Sequence, residues 1–313
     1  MASIISEKLS GSGITLTILG CGEMGTAVLS GLLAALNHGI PTIRISHIVA
    51  CVRTTSSAEA LSKAFSHDKC QPCEVIVLDE STNGSLTGVQ LADVVLLGCK
   101  PDMAESILQN HDMKKALRGK LLISMLAGVT TLKLKQYLNS GDYATYNSAL
   151  AASKHEIQYP IIRVMPNIAS RIRQGMTVIE EPQNLPADFV NLTSDIFSGI
   201  GTVKFLPPNT MDVCSILNGS SQAFVSLVLD GLLDGAVDKG LSRADARDIA
   251  SQAMMGLAAL VRSGENPGLL RESMCSPGGC TIRGLAVLEQ AAVRGTVAKA
   301  TVEATEKAAT LAG

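Results

Sequence analysis

Aromatic residues make up only 3% of the 313-residue chain, and tryptophan is absent altogether. Stacking platforms for bases and aromatic cages for quaternary cations therefore lack their material. Excess charge of either sign is also missing: Lys+Arg number 26 against Asp+Glu 28, with no block of like charge. Such a chain has no basic field to gather nucleic acid. Histidine is scarce. His38, His47, His67, His111 and His155 are scattered away from the motifs below, which disfavours chemistry or metal binding built on imidazole. No apolar run approaches the roughly 20 residues of a membrane span, because Asp and Gly interrupt even "VSLVLDGLLDGAV". The opening "MASIISEKLSGSG" lacks a basic segment followed by an apolar one, so residues 1–13 read as an unordered lead and the protein as cytoplasmic, with no membrane partner. Eight cysteines without an export signal read as reduced thiols used as small hydrophobes. Only Cys70 and Cys73 form a C-x-x-C, and without a second ligand pair they read as loop thiols, so no metal is expected.

What the chain does have is alternation. "ITLTILG", "HIVACV", "EVIVL", "DVVLLGC", "LLISML", "IIRVM" and "TVIEE" are short β-rich runs separated by helical ones. Near-continuous apolar strands between helices predict an α/β domain with a doubly wound parallel sheet covered on both faces. "TNGSLTG" and "NSGDYATYNSALAASKHEIQ" read as loops. Clustered glycines followed by Pro207 and Pro208 in "FSGIGTVKFLPPNT" place a domain boundary after residue 206, leaving 207–313 as a helical domain. There Ser242-x-x-Asp245 resembles a capping box, followed by apolar positions at helical spacing and Gly264 as a stop. The run 213–237 is apolar around much of its circumference, more than about 100 residues can cover, which predicts that two chains share this half.

Two motifs carry chemistry. "ILGCGEMG" places Gly20, Gly22 and Gly25 as G-x-G-x-x-G between an apolar strand and a helix. The first glycine allows the turn, the second lets a pyrophosphate approach the backbone and the third packs helix on strand, so a dinucleotide site is expected. The second strand ends in Arg53 followed by Thr54, Thr55, Ser56 and Ser57 rather than in an acid that would hold ribose hydroxyls. A cation with hydroxyls suits a 2′-phosphate, making NADPH the expected cofactor and NADH the alternative. The second motif, "SMCSPGGCTIRGL", sets Pro277, Gly278 and Gly279 before a helical run. Ser276 to Gly279 reads either as a tight turn with Thr281 as a cap, or as a nest of N–H groups at a helix start that holds an anion.

Read together, "ILGCGEMGTAVLSGLL", "VVLLGCKP", "ISMLAGVT", "RVMPNIASRIRQGMTVI", "NGSSQAFVSLVLDGLLDGAVDKGLSR" and "SPGGCTIRGLAVLE" resemble, in order, the motifs of pyrroline-5-carboxylate reductases. The resemblance implies an N-terminal Rossmann domain, an all-α C-terminal dimerisation domain, and NADPH-dependent reduction of the cyclic imine 1-pyrroline-5-carboxylate to L-proline. It also implies a homodimer through the C-terminal helices, with a higher oligomer of dimers as an extension. By the same likeness Gly20, Gly22, Glu23, Met24 and Gly25 match the phosphate loop. Cys99, Lys100 and Pro101 match a V-K-P beside the cofactor, while Ala127 and Asn167 match residues on its nicotinamide side. Ser276, Gly278, Gly279, Cys280 and Thr281 match the substrate loop, Thr281 being the residue beside the ring nitrogen and hence the catalytic candidate.

The pattern departs where G-S-G-P-A-Y is usual: "GSSQAF" puts Ser221, Gln222 and Phe224 near the substrate pocket, with Ser221 as a further substrate-binding candidate. Ile168-Ala169 and Gly98-Cys99 are other departures. They leave open a paralogue acting on a methylated or six-membered cyclic imino acid, or a non-catalytic NADP-binding sensor. The β-hydroxyacid dehydrogenases share the phosphate loop and a helical second domain but use a K-x-x-N lysine, and residues 206–313 contain no K-x-x-N.

Overall fold

The computed structural model describes residue 8 and residues 11–39, 43–65, 73–140 and 159–310. The loop expected at "NSGDYATYNSALAASKHEIQ" lies almost wholly outside these residues, as does Cys70. Strands β1 (Ile14–Leu19), β2 (Ile45–Val52), β3 (Glu74–Asp79), β4 (Val94–Leu97), β5 (Leu121–Ser124), β6 (Ile161–Met165), β7 (Gly175–Glu180) and β8 (Gly201–Leu206) form one sheet. Its order is β3-β2-β1-β4-β5-β6-β7-β8. Between them lie helices α1 (Glu23–Asn37), α2 (Thr55–Phe65), α3 (Gly84–Leu91), α4 (Ala104–Gln109), α5 (His111–Leu117), α6 (Thr131–Asn139) and α7 (Ala187–Ser198).

Alternate strand residues feed two cores. Ile14, Leu16 and Ile18 pack with Val28, Leu29 and Leu32 of α1 and with Phe197 of α7 on one face. Leu19, Val49 and Val95 pack with Val89 of α3, Leu108 of α4 and Leu134 of α6 on the other. Burial on both faces is why the strands read as nearly unbroken apolar runs. From β1 the chain winds outward in both directions, so the β1 and β4 carboxyl ends form a switch point where a crevice opens.

Three details differ from expectation. The sheet is not wholly parallel: β6 and β7 run antiparallel. Only the short 3-10 turn Ile168–Ile172 joins them, too little chain for a parallel crossover. "GIGTVKFL", taken above for punctuation, supplies strand β8, paired parallel to β7. In "TNGSLTG" helix α3 begins at Gly84, because its glycines serve packing: a Cβ on Gly88 would stand 2.5 Å from the Cys51 sulfur.

The chain divides into two compact units, one formed by Met1–Gly219 with Thr305–Gly313 and the other by Ser220–Ala304. Helix α8 (Met211–Ser215) and a π turn, Ile216–Ser220, lead out of the first unit's sheet. The second unit consists of α9 (Ser221–Asp238), α10 (Arg243–Arg262), α11 (Pro267–Ser273), α12 (Cys280–Gln290) and most of α13 (Val293–Ala309). The Ser242 hydroxyl caps α10 by accepting the Asp245 N–H at 3.1 Å. Within this unit only Leu233 and Ala246 are buried hydrophobic residues, while Leu227 is 76% exposed and Ile249, Met255, Leu269 and Val287 are similarly open. By length and composition the stretch Pro208–Asp238 meets the requirement for a membrane span, its most apolar 18 residues having a mean hydropathy of 1.3, although Asp212, Asp230, Asp234 and Asp238 interrupt the stretch.

Candidate functional site

A cleft of about 640 Å³ lies at the carboxyl ends of β1, β2, β3 and β4. Gly20 turns the chain there with φ +90°, and a Cβ on it would stand 2.6 Å from the Cys99 nitrogen. Only glycine lets the ends of β1 and β4 come this close. Gly22 has open space on its Cβ side, and as N-cap of α1 it supplies no side-chain cap. The first N–H groups of α1 thus have neither an intrahelical acceptor nor a capping side chain, an arrangement suited to phosphate. Gly25 packs against Ile18 and the Gly20 carbonyl, seating the helix on its strand.

Of the candidate cofactor residues, Gly20, Gly22, Arg53, Thr54, Cys99 and Lys100 line this one cleft. Arg53 directly follows β2, is exposed, and makes no ion pair among the described residues. The Thr54 hydroxyl accepts the Ser57 N–H at 3.3 Å, and the Thr54 and Ser57 hydroxyls lie 2.8 Å apart at the start of α2. Two acids stand near the same rim, both engaged by hydroxyls. Hydrogen bonds from Ser81 and Thr55 hold the Asp79 carboxyl below its ordinary range, and Glu80 accepts from Ser85. Arg53 and Lys100 bring positive charge to a cleft that Glu80 and Asp112 also line.

Three thiols also line the cleft, and burial pushes all of them up: Cys21 to about 11, against an opposing hydrogen bond from Thr26, and Cys51 and Cys99 to about 12. Near neutral pH they are uncharged, so they shape the cleft without repelling phosphate.

The other candidates lie off that lining. Glu23 and Met24 open α1, and Pro101 starts the 3-10 turn Pro101–Met103 with Lys100 as its N-cap. Ala127 is half-buried in the turn after β5. Asn167 follows β6, where its Oδ1 accepts the Ala169 N–H at 3.2 Å.

In the helical unit Ser276, Gly278, Gly279, Cys280 and Thr281 share one turn and helix start. Gly279 donates to the Ser276 carbonyl at 3.0 Å, and Gly278 takes φ +69°, closing a tight turn. The N-cap of α12 is Gly279, not Thr281, and it provides no side-chain cap. The first-turn N–H groups of Cys280 and Thr281 consequently lack intrahelical acceptors, and both residues are exposed. Ser221 is the first residue of α9.

Comparison with known proteins places these features in a family. Residues 15–128 match the family described as "NADP oxidoreductase coenzyme F420-dependent". Residues 208–311 match "Pyrroline-5-carboxylate reductase dimerisation". Over 324 residues the chain is 44% identical to a pyrroline-5-carboxylate reductase of Lophium arboricola, covering 99% of this chain and 96% of that one. The chain belongs to the pyrroline-5-carboxylate reductase family. A pyrroline-5-carboxylate reductase of Neurospora crassa is 39% identical, covering 97% of this chain and 95% of its own. A solved pyrroline carboxylate reductase of Plasmodium falciparum, which has NADP bound, shares the fold with TM-score 0.76 at 24% identity, over 96% of this chain and 98% of that one.

Within this pyrroline-5-carboxylate reductase fold the cleft has residues that the motifs alone do not reveal. Asn83 lines it from a left-handed conformation, φ 54°, between the 3-10 turn Glu80–Thr82 and α3. Its signal was the Asn-Gly pair, a dipeptide that marks such a turn. Met103, Ile107 and Met113 give the cleft an apolar end, with Asn110 beside them. Ile107 and Met113 read as ordinary helix-face residues and Met103 as the end of a 3-10 turn, and only the close placement of α4 and α5 joins them.

Proposed function

We propose that the protein reduces 1-pyrroline-5-carboxylate to L-proline with NADPH, closing proline biosynthesis in the cytoplasm. One observation carries the reading: identity to a relative of that name runs the length of the chain, with both the phosphate loop and the Ser276–Thr281 loop in place. The chemistry of the cleft supports the cofactor, since an uncapped helix start, an open Gly22 and an exposed Arg53 just after β2 suit a phosphorylated dinucleotide. The backbone of Gly20, Gly22, Glu23, Met24 and Gly25 would hold the pyrophosphate, and Arg53 with Thr54 the 2′-phosphate. Cys99, Lys100, Pro101, Ala127 and Asn167 would flank the rest.

When bound, NADPH supplies the hydride. The protein holds the substrate and places it. Gly278 and Cys280 offer N–H groups to the carboxylate together with Ser276, the Gly279 N–H holding the turn closed on the Ser276 carbonyl, and Ser221 adds a hydroxyl. Thr281 sets its hydroxyl beside the ring nitrogen. A protonated C=N carbon is already electrophilic, and the nitrogen keeps its proton as the carbon gains hydride. No strong general base is required, in keeping with motifs that contain no histidine, and rate comes from orientation and a preorganised field.

Two chains are proposed to pair through the helical unit, covering the apolar faces left open on one chain, with a higher oligomer of dimers as an extension. The same pairing, rather than lipid, accounts for the apolar character of Pro208–Asp238. The domain boundary is placed after residue 206, with residues 207–313 as the pairing domain, although residues up to Gly219 and from Thr305 onward group with the sheet unit.

The second reading, a paralogue for a methylated or six-membered ring or a sensor without turnover, rests on Ser221, Gln222, Ile168 and Ala169. Loss of NADPH absorbance with 1-pyrroline-5-carboxylate, its methylated analogues and 1-piperideine-6-carboxylate separates these cases. Preference for the unsubstituted five-membered ring supports the first reading. Preference for another ring establishes the paralogue, and NADPH binding without turnover establishes the sensor.

A further inference from the structure

Two carboxamides meet where the sheet ends. Asn167 directs its Nδ2 at Asn218, 2.9 Å from the Oδ1 and 3.2 Å from the main-chain carbonyl. Asn218, in the π turn, directs its own Nδ2 at the carbonyls of Met165, at 2.7 Å, and Met176, at 3.0 Å. The orientation is unique: turned over, the Asn218 oxygen would face two carbonyl oxygens, and its nitrogen would face the Asn167 donor. Met165 ends β6 and Met176 lies in β7, strands whose ladder runs only through Val164–Ile179 and Met165–Val178. One side chain thus splints a short antiparallel pair and fixes the amide of Asn167. The Asn167 Oδ1 in turn caps the 3-10 turn Ile168–Ile172.

The location gives this clamp a function. In a doubly wound sheet the two mononucleotide halves of a dinucleotide lie on either side of the switch point. The cleft lined by the ends of β1 to β4 takes the adenosine side, so the carboxyl ends of β5 and β6 belong to the nicotinamide side. We propose that Asn218 is a positioning residue for hydride transfer, its carboxamide locking Asn167 and the end of β6 in one geometry on the nicotinamide side. It does not touch the reacting atoms; it acts through Asn167. This inference rests on the reductase reading given above. π turns are frequent at functional places, and here the turn puts the Asn218 side chain within reach of both strands.

The test uses the full-length protein with Asn218→Ala, the milder Asn218→Ser, Asn167→Ala and the double variant. Four quantities are read: kcat, the primary deuterium isotope effect with NADPH labelled at the transferred hydrogen, NADPH affinity by fluorescence titration, and melting temperature. Misplacing a reacting group by a fraction of an ångström makes chemistry slower, so Asn218→Ala should lower kcat about tenfold and raise the isotope effect. NADPH affinity, set mainly by the phosphate loop and Arg53, should change less than about twofold. Asn218→Ser, which keeps one hydroxyl donor, should fall between, and the double variant should lose no more than the worse single. A lowered melting temperature with unchanged kcat and isotope effect would overturn the inference, as would additive losses. Should the unsubstituted enzyme bind NADPH yet reduce no cyclic imine, the reductase reading fails first, a result distinct from normal catalysis by Asn218→Ala.

Discussion

Thr281 is the second residue of α12, exposed, and next to backbone N–H groups with no intrahelical acceptor. If its hydroxyl serves the developing amine, Thr281→Ala should lower kcat by about 10²-fold, the scale of one preorganised donor, with NADPH affinity almost unchanged. Stopped-flow hydride transfer beside a binding titration decides it; equal losses in both would remove Thr281 from that role. Arg53 offers the complementary case. Arg53→Glu should raise the KM for NADPH at least about tenfold while altering that for NADH little, since a charge-assisted hydrogen bond is at stake. An unchanged ratio between the cofactors would refute the 2′-phosphate assignment. These residues were legible because their chemistry depends on local order, glycines before a helix or a cation after a strand. For Asn83 the Asn-Gly pair marks the turn but not the cleft it lines, and for Asn218 the π turn supplies partners that no nearby residue announces.

At the level of elements, Gly20 is the most constrained position. Gly20→Ala puts a Cβ 2.6 Å from a main-chain nitrogen at φ +90°, so β1 and β4 must part. The expected result is a loss of at least about 2 kcal/mol of stability together with NADPH binding, measurable by denaturant unfolding with and without cofactor. Gly22→Ala, with open space at its Cβ, should leave stability nearly intact and weaken binding alone. The Ser242 cap was readable because its partner Asp245 is three residues away. β8 was hidden because its glycines and the following prolines look like a linker, whereas pairing with β7 is a long-range fact. The antiparallel turn from β6 to β7 was hidden for a related reason: apolar runs reveal burial on two faces, not strand direction.

For the whole molecule, the open apolar faces of the helical unit set the strongest expectation. Light scattering should give at least twice the chain mass of 32.7 kDa, and the melting temperature should fall on dilution as pairs separate. Leu227→Asp, at a site too exposed to matter to a lone chain, should lower the mass to one chain if α9 lies in the pair. A single-chain mass for the unsubstituted protein at all concentrations would refute the pairing. The division into units has one more consequence. Residues from Thr305 onward belong with the sheet, and Ala308 is buried. During synthesis the first unit therefore waits for a segment translated only after α9 to α12 and most of α13, the helices of the second unit. A nascent chain stalled before residue 305 would expose the seat of that segment to chaperones, and a peptide spanning 293–309 supplied in trans would compete for the same seat.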